Sequence, residues 1–307
     1  MRKALSFHWV ICFTLFVFPA FGAERWRTVA DIPAVLPTAE ATVINQQIYV
    51  LSGSVGHGLR HFFEVYDPVD DGWRPLTPLP ADISDFAVTN IGGRMMVVGG
   101  RDRQTGDVSD AVWLYVPFAA VWVELPPLPQ AMINHAIISL NDTVYLAGNN
   151  KMWRMVGAQG SWSEVGDLPL KDAAVRMVSD GTDLFLVGGE PQPAIWRYHV
   201  AAKKWSRLPA LASAAAGGSL VVLGAQSDPQ LHYLGGYDVQ AQKASPGHYV
   251  LKNGKWLKAL DLPQGRHRMA TAVLDDKLYV IGGAAGDGFF RFFTGSDQLY
   301  VYSASDE

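Results

Sequence analysis

The sequence predicts an all-β fold, a six-bladed β-propeller whose last blade is closed by the N-terminal strand. Three observations predict it. A short apolar run closed by a Gly-Gly-like pair occurs at Ser52-Gly53, Gly99-Gly100, Gly148-Asn149, Gly188-Gly189, Gly235-Gly236 and Gly282-Gly283, and the second members step by 47, 49, 40, 47 and 47 residues. Recurrence at such a period marks one supersecondary unit repeated. Each unit carries short β-rich runs separated by turn residues, four to a unit, which is the content of a propeller blade. Finally, the last unit stops after its third strand and lacks a Trp, while an orphan fourth strand, Trp26 to Pro33, opens the repeat region. Pairing these two ends closes the ring and leaves no open sheet edge.

The elements follow in chain order. Arg2 and Lys3 precede an uncharged stretch from Ala4 to Ala23, and Ala20-Phe21-Gly22 offers small residues at a cleavage site. Basic, apolar and small-residue regions in that order read as a secretory signal peptide over residues 1–23. Pro19 and Gly22 interrupt the apolar run too early for a comfortable membrane span, and Cys12 lacks the small flanking residues of a lipoprotein site. Residues 24–307 then form one propeller. Fourth strands start at Trp and close with Pro seven residues later, at Trp26, Trp73, Trp122, Trp162 and Trp256. Blade five departs most: Trp205 reaches Pro209 in four residues, and His232 replaces the usual aromatic in Leu231-His232-Tyr233-Leu234. In blade six, Arg268–Leu274 alternates toward a turn at Asp275-Asp276, Lys277–Ile281 runs into Gly282-Gly283, and Leu299–Tyr302 makes the third strand.

Composition narrows the function. Of 307 residues, 49% are hydrophobic and 18% charged, enough for a large core. The net charge is −4, and loss of Arg2 and Lys3 would make it more acidic, so neither nucleic acid nor an anionic membrane surface is an expected partner. Cys12 is the only cysteine. A cleaved chain would have no disulfide, no thiolate metal site and no cysteine–tyrosine copper cofactor of the galactose-oxidase kind. Export without disulfides fits a bacterial periplasm or a secreted protein.

These features resemble the Kelch family of propellers along nearly all of the chain after the leader. The glycine pairs, Tyr66-Asp67-Pro68 and the Trp residues at 26, 73, 122, 162, 205 and 256 carry the resemblance. Most of them are framework, since glycine permits positive φ or close backbone approach and aromatics pack between blades.

In such blades the turn entering the first strand and the loop leaving the second open on one face. The residues placed there are Ser54, Arg101, Asp102, Asn150, Glu190, Tyr237, Asp238 and Ala284 after the pairs. Before them stand Thr38, Asp85, Asn134, His135, Asp172, Ser219 and Arg266-His267-Arg268. The expected mouth is polar and of mixed charge, and takes a small-molecule sugar or a protein. Glu190, an acid directly after a glycine pair, serves no packing purpose. With an ordinary carboxylate pKa near ~4.3 it is ionised at neutral pH and suited to accept a proton from a sugar hydroxyl. Arg266 and Arg268 suit a substrate carboxylate; His135, Arg101, Asn134 and Asp85 complete the expected binding set. Each has a framework alternative, an inter-blade hydrogen bond for Arg266, an inner-strand histidine for His135 and a turn cap for Asp85 and Asp172. His57 and His61 lie four apart without nearby carboxylates, and no metal or cofactor is expected. Asn141-Asp142-Thr143 matches a glycosylation sequon where a hairpin turn is required.

A finer resemblance is to the N-acetylneuraminate epimerase (sialic acid mutarotase) branch of bacterial Kelch proteins. Carrying it are the leader, the six units, Gly188-Gly189-Glu190, Met132 with His135, Ala216-Gly217-Gly218 and Gln264-Gly265-Arg266. It implies isomerase activity in carbohydrate metabolism, with Glu190 as general base and no cofactor. In that branch the glutamate acts with an arginine further along the same loop. Here the loop reads Glu190-Pro191-Gln192-Pro193-Ala194-Ile195-Trp196, and Arg197 already belongs to a strand. The branch's long blade-three insertion is replaced by Asn149-Asn150. The alternative from another class is a non-catalytic propeller that binds a carbohydrate or a protein at its mouth.

Overall fold

The computed structural model describes residues 25–53, 61–171, 174–189, 193–211, 215–224, 228–286 and 294–304. Six four-stranded antiparallel sheets are present among them. Their innermost strands are Glu40–Ile44, Ala87–Ile91, Ala136–Leu140, Val175–Ser179, Ser219–Leu223 and Ala270–Leu274, for blades one to six. Each packs against the next, and the sixth returns to the first, so the ring closes with the blades in sequence order.

Closure is made as the sequence predicts. Arg25–Thr28 pairs antiparallel with Leu299–Ser303, so the outermost strand of blade six comes from the other end of the chain. One assignment is corrected: Trp205 lies on Lys204–Arg207, the outer strand of blade four, with its ring 4.9 Å from Tyr198. The shorter Trp-to-Pro spacing therefore describes blade four.

The core lies between blades. Six buried apolar clusters each join two neighbouring sheets. In Gln47–Ser52, Ile48 and Val50 face blade six while Tyr49 and Leu51 face blade two. Strands buried on both faces lose the polar alternation of a half-exposed sheet and read as continuous apolar runs. The period-two pattern survives as a choice of neighbour.

The repeated Trp has a second role besides packing. Trp73 Nε1 donates to Ala30 O at 3.2 Å, Trp122 to Thr77 O at 2.9 Å, Trp256 to Pro209 O at 2.9 Å and Trp26 to Leu260 O at 3.0 Å. In every case the acceptor stands four residues past the Trp of the preceding blade, so the indoles latch the seams. Trp26 also packs on Tyr302 and His248 at 5.0 and 5.9 Å. Trp26→Ala removes that bond and much of the packing at the closing seam. A loss of about 2 kcal/mol is expected by chemical denaturation. A loss below about 0.5 kcal/mol would mean that the latch does not hold the ring.

The glycine pairs set the blade spacing. Gly99 and Gly100 have φ of 62° and 101°, and a Cβ on Gly99 would stand 2.8 Å from both Met132 O and the His135 ring. Gly100 N donates to Met132 O; Gly236 N to Arg266 O and Gly283 N to Leu36 O repeat the bond in other seams. Left-handed backbone without a side chain lets the end of one blade's second strand reach the approach to the next blade.

Candidate functional site

The chain enters the inner strands through left-handed residues. Asp85, Asn134, Gly217 and Arg268 stand two positions before their inner strands, with φ of 53°, 57°, 68° and 56°. Asn, Asp and Gly tolerate that region well, whereas arginine there is uncommon. With Thr38 at the matching place in blade one, all five line a single cavity of about 590 Å³ on the propeller axis. That volume lies within the roughly 300–1,000 Å³ of small-ligand sites.

Below this ring, the inner strands add charge. Glu40 of blade one and Arg176 of blade four form an ion pair, and both line the cavity. Lys171, Ser52, Gly188, Gly189 and Pro193 complete much of the remaining wall. Ser52 Oγ is turned to Thr38 O at 2.6 Å. Three cationic side chains (Lys171, Arg176 and Arg268) and two carboxylates (Glu40 and Asp85) thus border one space. Such a wall suits a polar ligand bearing negative charge.

His135 is buried in this wall, 3% exposed. Its Nε2 faces Val98 O at 2.9 Å, so Nε2 carries the proton and Nδ1 is a bare acceptor. Nδ1 has no partner among the described residues. Burial, opposed by the bond to Val98 and helped by nearby Arg176, pulls the pKa down to about 4, so the ring is neutral at pH 7. In register, Phe86 and Met269 occupy the same place in blades two and six. The histidine is thus a seam wedge that exposes an edge to the cavity.

Of the expected site residues, Asp85, Asn134, His135 and Arg268 meet at the cavity. Arg266 does not. It is fully buried and donates from Nη1 to Gly282 O at 2.9 Å and Gln298 O at 3.3 Å, and from Nη2 to Gln264 Oε1 at 3.3 Å. Its guanidinium lies 4.4 Å from the Tyr300 ring centre. In register it matches Leu36, Ile83 and Met132, the buried plugs of other seams. Arg266 is accordingly framework, a correction to its expected role as a ligand contact. Arg101 is also off the cavity: it lies in a short ribbon with Ile83–Ser84, and Nη1 donates to Gly106 O at 2.6 Å. Glu190, Ser54, His57 and Asp172 lie outside the described residues. His61 Nε2 is 3.4 Å from Asp82. Among the described residues no group of three His, Cys, Asp or Glu side chains could hold a metal.

Two features escaped the sequence reading. Glu40 opens the inner strand Glu40–Ile44 and Arg176 is the second residue of Val175–Ser179, and the only sequence signal was one charge in each of these short, mostly apolar runs. The second is Asp183, which accepts from Arg197 Nε at 2.7 Å, His199 Nδ1 at 3.0 Å and Val200 N at 2.9 Å, while His199 Nε2 meets Ser206 Oγ at 2.9 Å. This Ser–His–Asp string ties the turn between the two inner strands of blade four to its two outer strands, and none of its members lines the axial cavity. Asn149 and Asn150, with φ of 47° and 66°, form the two-residue turn joining Gly148 to Lys151, so blade three adds no long loop at the mouth.

Residues 83–129 match the Kelch motif. Beta-scruin of Limulus polyphemus is 25% identical over 186 residues, covering 54% of this chain and 20% of its own length. Kelch-like protein 41 of Rattus norvegicus is 31% identical over 121 residues, 37% of this chain and 20% of its own. The chain thus spans about a fifth of the length of these relatives. The solved structure of YjhT aligns with a TM-score of 0.74 at 18% identity, covering 88% of this chain and 95% of that chain; this likeness shows the fold.

Proposed function

We propose that the protein is an exported Kelch propeller that binds an acidic sugar in its axial cavity and interconverts the sugar's anomers. The observation that carries this reading is one monosaccharide-scale cavity in which cationic side chains, carboxylates and hydrogen-bonding groups converge. The resemblance to the sialic acid mutarotase branch supplies the sugar class, and the leader-like first residues support export.

The chemistry needs only proton transfer. A base removes the proton from the anomeric hydroxyl, the bond from the anomeric carbon to the ring oxygen breaks, and an acid protonates that oxygen. The open-chain carbonyl rotates and recloses on its other face, so nothing is oxidised or reduced. On this reading Glu190 is the base. The described residues on either side of it in sequence, Gly189 and Pro193, both line the cavity. Cations in the wall hold the sugar's carboxylate, and Asn134 and Asp85 bind its hydroxyls.

The test is exchange NMR on freshly dissolved N-acetylneuraminic acid. Wild type should accelerate anomer exchange, and Glu190→Gln should lower kcat by roughly 100-fold, the low end of general-base contributions, with sugar affinity retained. Binding without acceleration by wild type would leave a sugar-binding module. No binding of any acidic sugar would overturn the assignment.

A further inference from the structure

Glu40 and Arg176 belong to blades one and four, which face each other across a ring of six. Among the described residues no β-ladder joins those two sheets. Their ion pair is therefore made across the axis, within the cavity that both residues line. The two side chains are 23% and 41% exposed, so solvent and incoming ligand reach them. The site already accepts a carboxylate, and the one it holds is the protein's own.

We propose that Arg176 anchors the carboxylate of the acidic sugar, and that Glu40 is an internal stand-in which the sugar displaces. This rests on the acidic-sugar reading of the cavity and names its anchor and its means of selection. A guanidinium presents a planar fork that matches a carboxylate through two parallel bonds. The observed pair uses Nη1 and Oε1. Part-exposed ion pairs are weakly held, because solvent screening and side-chain ordering offset most of the attraction. An entering carboxylate replaces Glu40 like for like, and brings the remaining sugar contacts with it. A neutral sugar offers Arg176 no charge in exchange and leaves the pair closed. Discrimination then comes from a competitor built into the site as well as from favourable contacts.

Calorimetric titration with the methyl α-glycoside of N-acetylneuraminic acid separates binding from chemistry, because its anomeric centre is fixed. Arg176→Met should weaken binding by roughly 10–100-fold, the range for a charge-assisted hydrogen bond. Arg176→Lys, which keeps the charge without the fork, should lose less. Glu40→Gln should tighten binding by about fivefold, the scale of an exposed ion pair. That gain should vanish in the Glu40→Gln/Arg176→Met double variant, since two residues that act through each other are not additive. The glycoside's carboxyl methyl ester should bind wild type and Glu40→Gln alike. Thermal melts confirm that each variant folds. If Arg176→Met binds as wild type does, or if the Glu40→Gln gain persists without Arg176, the anchor assignment fails while the acidic-sugar reading stands. If the glycoside and free N-acetylneuraminic acid bind no variant, Glu40→Gln included, the reading of the cavity fails and the anchor with it.

Discussion

Arg266→Ala is expected to destabilise the fold by about 3–5 kcal/mol, the loss typical of breaking a buried, hydrogen-bonded charge. Gly282 O and Gln264 Oε1 lose the guanidinium donor, Gln298 O keeps only Gly282 N, and the space over Tyr300 opens. Burial pulls the guanidinium pKa down, and the adjacent tyrosine pushes it back. Arg266→Met should lose less than alanine, because a methionine stem fills the volume and matches Met132 at the same register. Denaturant titration with an unchanged m-value checks both. A loss under about 1 kcal/mol together with weakened sugar binding would return Arg266 to the role of ligand contact.

Acid should unfold the protein well above the carboxylate range. Burial is the main cause that holds His135 at about 4, His232 at about 3 and His267 at about 4; Arg176, His248 and Arg268 respectively add to it. Each folded value lies below the unfolded value near 6.5, so the folded state prefers the neutral ring. Their contribution is complete above pH ~6.5 and is lost as the pH falls toward 4 for His135 and His267, and toward 3 for His232. Each such ring costs about tenfold in the folding equilibrium per pH unit over its window. Between pH 6.5 and 5 the three together remove about 4–6 kcal/mol, comparable with the whole stability of many proteins. Thermal melts from pH 7.5 to 5 should show a steep fall in Tm. His135→Phe, the residue found at that register in blade two, should flatten part of it. A Tm that stays level across this range would contradict the buried neutral state.

The sequence carried the architecture because its signals are local and repeated. A glycine pair, a Trp and a strand break each act on their own neighbours, and recurrence at a near-constant period turned weak signals into a six-part ring. The N-terminal strand at Trp26 and the missing fourth strand after Tyr302 fixed the closure in the same way. Part of the site followed by register alone: Asp85, Asn134 and Arg268 stand at one repeat position, His135 at the next, and all four reach one cavity.

Tertiary structure decided the rest. Register told which residues approach the axis but not which of two arginines, separated by one residue, turns inward. Arg266 fell to a buried plug position and Arg268, two residues on, entered the left-handed conformation at the cavity wall. Similarly, Glu40 and Arg176 are separated by 136 residues in sequence. Their pairing depends on two strands facing each other across a closed ring, a relation that no local pattern encodes. Repetition writes the scaffold into the chain one unit at a time, whereas charge meets charge only once all six units have closed around the axis.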